Sequence, residues 1–77
     1  MNLLDLPHNQ QATITAMSVD TEYEERLRAV GIWIGNTISK MHDSRFRLAQ
    51  PICVTTNEQN VFAISRKLAA NIQLRIV

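Results

Sequence analysis

Apolar residues along this chain mostly recur at a spacing of two, and the breaks in that rhythm mark where the chain turns. Gln11 to Val19 is rich in Thr, Ile and Val, with Ala12 and Ile14 on one face of a strand. Met17 returns to that face only if an extra residue intervenes, so the spacing predicts a first strand bent by a bulge near its middle. From Asp20 the period changes. Tyr23, Leu27 and Val30 stand at i, i+4 and i+7, and Thr21 and Glu24 have the spacing of a capping box. Asp20, Glu22, Glu24 and Glu25 set carboxylates at the positive end of a helix. The pattern predicts a short helix over residues 21–30, stopped by Gly31 in a left-handed conformation.

Beyond Ile32-Trp33-Ile34-Gly35, residues Asn36 to His42 read as a second strand with Ile38 and Lys40 on one face. Asp43 to Gln50 has no period and reads as a long loop ended by Pro51. Ile52 to Thr56 and Val61 to Ile64 are strands, and the polar Asn57-Glu58-Gln59-Asn60 between them suits a tight hairpin. Ser65 is placed to cap a helical turn through Ala70, after which Ile72, Leu74 and Ile76 alternate as a last strand. About five short strands with one inserted helix and a helical turn near 65–70 give the class: all-β, a small closed or nearly closed barrel.

Size and charge narrow the function. The chain has 77 residues, 45% hydrophobic and 19% charged, enough for one small folded domain. A core in this size range rarely nets more than about 3 to 5 kcal/mol, and a single cysteine allows no internal disulfide, so a partner could readily stabilise the fold. Eight Lys and Arg against seven Asp and Glu leave a net charge of +1, without the basic excess that drives binding to phosphate backbones. The reading therefore expects no nucleic acid. The N-terminus, Met1-Asn2-Leu3-Leu4-Asp5, lacks the charged and apolar regions of a signal peptide, and the longest uncharged apolar stretch, Ala29 to Ser39, is far short of the roughly 20 residues of a membrane span. A cytoplasmic location without membrane insertion is expected, with Cys53 in Pro51-Ile52-Cys53-Val54 as a buried reduced thiol.

Candidate chemistry is sparse. CxxC, HExxH, GxxxxGK[ST] and GxSxG are all absent, so an enzyme would need a scattered site. His8, His42, Asp43 and Cys53 are the residue types of a transition-metal site but have no ligand spacing; neither a metal nor a cofactor is assigned. Capping and dipole compensation account for the carboxylates from Asp20 to Glu25. The middle of the chain is locally basic through Arg26, Arg28, Lys40, Arg45 and Arg47. Phe46 between two arginines suits a solvated loop with one aromatic anchor, a protein contact, or an RNA-stacking platform. Trp33 fits a core role and an exposed hot spot equally. Leu27, Trp33, Arg45, Phe46 and Arg47 form the expected partner surface.

These residues also carry a resemblance. Leu3-x-x-Leu6-Pro7, Ala12-x-Ile14, Arg26-Leu27-x-x-Val30-Gly31-Ile32-x-x-Gly35-x-x-Ile38, Pro51-Ile52-x-Val54, Ala63-Ile64 and Ala69-x-x-Ile72 together resemble the ferrous iron transport protein A family, FeoA. The resemblance implies one SH3-like barrel over residues 1–77 in the bacterial cytoplasm, without enzymatic activity. It would support ferrous iron uptake by docking on the cytosolic GTPase region of the membrane transporter FeoB. Departures are Asn9 for a Gly, Ile34 for the usual Pro, Ala49-Gln50 for Gly-Asp, and Ser65 for a common Arg. Asn9 is the mildest, because Asn tolerates a left-handed turn best after Gly. Two other classes stay open: an RNA-binding SH3-like barrel using Arg45, Phe46 and Arg47, and a metal-sensing domain related to that of iron-dependent repressors. The oligomeric state is left open, a homo-oligomer included.

Overall fold

The computed structural model describes residues 1–41, 51–56 and 60–77. The chain runs through a 3₁₀ turn (Leu3–Asp5), β1 (Gln11–Met17), α1 (Thr21–Ala29), β2 (Thr37–Lys40), β3 (Ile52–Thr56), β4 (Val61–Ile64), α2 (Arg66–Ala69) and β5 (Ile72–Ile76). All strands join one antiparallel sheet in the order β4-β3-β2-β1-β5. Every strand contributes inward residues to one core: Ala12 and Ile14, Ile38, Ile52 and Val54, Ile64, Ile72 and Leu74. Leu3, Leu6, Leu27, Ile32 and Ala69 complete that core. The sheet thus wraps a single apolar interior, and β4 and β5 are left as its two edges. Among the described residues, no helix is long and apolar enough to cross a membrane.

The expected bulge is present. The β1–β5 register shifts between Ile14 and Ala16, which brings Met17 back against the core. Gly31 stops α1 at φ +90°, and Asn9 holds φ +60° in the turn before β1. Ser65 caps α2 by accepting from the Leu68 amide at 3.2 Å.

Several expectations need correction. Thr21 is the first residue of α1 rather than its cap; Asp20 holds the cap position and makes no side-chain cap hydrogen bond. The side-chain capping box lies earlier, where Asn2 accepts from the Leu4 amide at 2.9 Å and Asp5 accepts from the Asn2 amide at 3.4 Å. Tyr23 is 48% exposed, because the first turn of α1 stands beside an open cleft and not over the barrel. Cys53 is half-buried: alternation along β3 sends Ile52 and Val54 inward and Cys53 to the other face. Ile76 is 43% exposed at the end of the last strand.

Lys40 is the largest departure. It shares its face with Ile38, as alternation requires, and is therefore 2% exposed within an apolar interior. Its ammonium donates to the carbonyls of Leu4 and Leu6, each at 2.8 Å, and its own carbonyl accepts from the Asn9 amide at 2.7 Å. Lys40 thus fastens to β2 the N-terminal strap whose Leu3 and Leu6 are plugged into the core.

Candidate docking surface

Helix α1 presents two different flanks. Glu24 and Arg28 pair at 3.1 Å on one of them, and the Arg28 guanidinium lies over the Trp33 ring, 3.9 Å from its centroid. Trp33 reaches this position because Gly31 reverses the chain at the helix end. The indole is half-buried, with the cation covering one face. Such a stack holds a flat apolar body and a fixed charge side by side at low entropic cost.

The other flank opens on a cleft of about 720 Å³ between α1, the end of β4 and α2. Tyr23, Leu27 and Leu68 supply apolar surface to it, and Arg26 and Lys67 supply positive charge. Arg26 is held by Glu22 at 3.4 Å, with both side chains largely exposed, so this pair adds little stability. Leu27 lies at the foot of the cleft. At 9% exposure it belongs to the core and supports the surface from beneath, because its place in the helix stop turns it toward Ile32.

Of the expected partner residues, Leu27 and Trp33 are brought to α1 and its C-terminal turn, while Arg45, Phe46 and Arg47 lie outside the described residues. Lys40, counted among the basic residues of this region, is withdrawn into the core. Sequence reasoning counted Arg26 among the basic residues but missed the cleft that it lines together with Lys67. The signal was the pair of turns that flank it, the start of α1 and the Ser65 cap, whose proximity depends on β5 folding back beside β1. Among the described residues, no three His, Cys, Asp or Glu side chains gather as a metal site. His42 and Asp43 lie outside them, and His8 forms an isolated bridge with Lys40.

The profile of the FeoA domain family matches residues 1–76. The chain belongs to the FeoA family. Solved FeoA structures share its fold. The solution structure of FeoA from Chlorobium tepidum superposes with a TM-score of 0.87 at 23% identity, covering 100% of this chain and 70% of that one. The crystal structure of an iron uptake regulatory protein, FeoA, gives 0.84 at 18% identity, over 100% of this chain and 97% of that one. FeoA of Stenotrophomonas maltophilia, crystallised with zinc, gives 0.77 at 19% identity over 97% and 89% of the two chains. That protein is described as a prokaryotic SH3 domain protein and a candidate activating factor for bacterial ferrous iron transport. The SH3-like class expected from the sequence is the class found. No curated protein matches the chain.

Proposed function

We propose that this FeoA domain is a cytoplasmic accessory of ferrous iron uptake, acting by docking on the cytosolic GTPase region of the membrane transporter FeoB. The observation that carries the reading is the family match over residues 1–76, in a family of transport accessory domains, with one solved member described as an iron uptake regulatory protein and another as a candidate transport activating factor. The surface chemistry supports the same role. A ring stacked under a guanidinium at Trp33 and Arg28, together with a cleft that joins apolar and cationic side chains, suits recognition of another protein. Binding energy in such interfaces comes from a few aromatic and arginine anchors. Arg45, Phe46 and Arg47 are proposed as further contact residues on their sequence alone.

The test is a pull-down of the intact transporter on the immobilised domain, with and without guanine nucleotide. Retention of the transporter by the parent domain and its loss with a Trp33→Ala, Phe46→Ala double variant is the expected result. Equal retention by both, or none by either, contradicts the reading.

A further inference from the structure

The cleft meets the outer edge of β4 at Ala63, which lines it. The hydrogen-bonding sense of that edge follows from the ladder. The Thr56 amide donates to the Asn60 carbonyl at 3.2 Å, so the antiparallel alternation makes Val54–Phe62 and Ile52–Ile64 the next hydrogen-bonded pairs. The neighbouring ladder agrees. The Met41 amide donates to the Cys53 carbonyl at 2.9 Å, which turns Cys53 and Thr55 toward β2 and leaves Ile52, Val54 and Thr56 for β4. Val61 and Ala63 therefore aim their N–H and C=O groups away from β3, on the last strand of the sheet. Both residues are exposed, and among the described residues no backbone bond reaches them from that side.

Proteins usually blunt such an edge with Lys, Pro or a bulge. Val61-Phe62-Ala63-Ile64 contains none of these. The opposite edge is treated differently: the Leu74 amide of β5 donates to the Met1 carbonyl at 2.7 Å, and Asn2 bridges to Gln73. One edge is covered by the chain itself, and the other, beside a cleft, is uncovered among the described residues.

We infer that the β4 edge and the cleft form one peptide-binding site, which takes an extended acidic segment of a partner protein as an added strand. Main-chain bonds to Val61 and Ala63 would supply affinity, and side chains alternating along the segment would supply selectivity. Those pointing into the cleft meet Tyr23 and Leu68, and carboxylates meet Lys67 and Arg26. Among the described residues, Lys67 is in no ion pair, Arg26 is paired only with the exposed Glu22, and Asp20 is the one carboxylate that lines the cleft. A second copy of this chain fits less well. Its run of carboxylates from Asp20 to Glu25 is capping or inside α1, so among the described residues it has no extended acidic segment to offer. The site shares its cleft with the proposed transporter contact, but the peptide test does not depend on that reading.

The test is titration of the ¹⁵N-labelled chain with three blocked octapeptides: alternating Glu and Val, alternating Lys and Val, and a helix-forming Glu and Ala sequence. The Glu–Val peptide is expected to shift the Val61 and Ala63 amides and slow their exchange, with the other two binding at least about tenfold more weakly. Val61→Pro removes an outward N–H without touching the β3 ladder, and Lys67→Glu reverses the free cation. Each should weaken Glu–Val binding by about tenfold or more while core amide shifts stay in place. Lys67→Glu stands alone if the proline variant fails to fold. Absence of shifts at millimolar peptide, equal binding of the Lys–Val or helical peptide, or unaltered affinity in the folded variants overturns the inference. Shifts at Val61 and Ala63 that track protein concentration without peptide identify a second copy as the occupant and overturn it as well.

Discussion

The amide of Ile32 donates to the carbonyl of Leu27 across 2.8 Å, and both side chains end in the same core. With the Gly31 amide on the Arg28 carbonyl at 3.1 Å, these bonds make the paired closure of a Schellman stop, in which residues on either side of the reversal pack together. The motif turns the end of α1 into the start of the segment that carries Trp33.

Gly31 is the residue on which this stop depends. Its φ of +90° strains any L side chain, although a Cβ there would meet only Thr56 Cγ2, at 4.0 Å. The cost of Gly31→Ala is therefore backbone strain alone, about 1 kcal/mol or more. Thermal melts should show a fall of roughly 4 to 8 °C per kcal/mol for a domain of this size, with a smaller loss for Gly31→Asn. An alanine variant as stable as the parent contradicts the role given to this residue.

Lys40→Met should be far more damaging than its conservative length suggests. It strips charge-assisted bonds from the Leu4 and Leu6 carbonyls, one of them buried, at about 2 to 4 kcal/mol. Lys67→Ala, an exposed change, should stay within about 0.5 kcal/mol. Urea denaturation compares the two, and limited proteolysis should place the first cuts of the methionine variant in the strap before β1. Equal stability of the two variants contradicts the strap's attachment through Lys40.

Much of this architecture was legible in the chain, for local reasons. The bulge followed from the odd spacing of Ile14 and Met17, the helix stop from Gly31, and the second cap from Ser65, each a matter of residues within one turn of each other. Lys40 was not legible. Alternation placed it on the Ile38 face, but only the return of the N-terminal strap across β2 supplies the carbonyls that make a buried ammonium tolerable. Tyr23 misled for the complementary reason: its helical period is real, yet the barrel does not extend beneath the first turn of α1. Of the expected site, Leu27 and Trp33 were legible as apolar positions around a helix stop. The cleft depends on β5 lying beside β1, a pairing of distant segments that no local pattern encodes.

Thr56 is buried at 8% exposure, and its hydroxyl oxygen has no hydrogen-bond partner among the described residues. Thr56→Val keeps the shape and removes the orphaned polar atom, so the variant should gain about 1 kcal/mol. A higher midpoint in urea with an unchanged slope is the expected result; a lower midpoint contradicts the orphaned state of the hydroxyl.

Arg28→Ala uncovers one face of Trp33 and removes the ion pair with Glu24. Stability should fall by about 0.5 to 1 kcal/mol, the range of an exposed cation–π contact. The single tryptophan makes the change directly visible as a red shift of its fluorescence on greater exposure to water. An unchanged emission maximum contradicts the stack.

The proposed docking to the ferrous iron transporter is tested most directly by the affinity of the purified domain for intact FeoB reconstituted in lipid discs. Saturable binding is expected for the parent. Trp33→Ala and Phe46→Ala, each verified as folded by its melt, should bind at least about tenfold more weakly, since truncated anchors often cost 2 kcal/mol or more. No saturable binding by the parent, or parent-like binding by both folded variants, would contradict it.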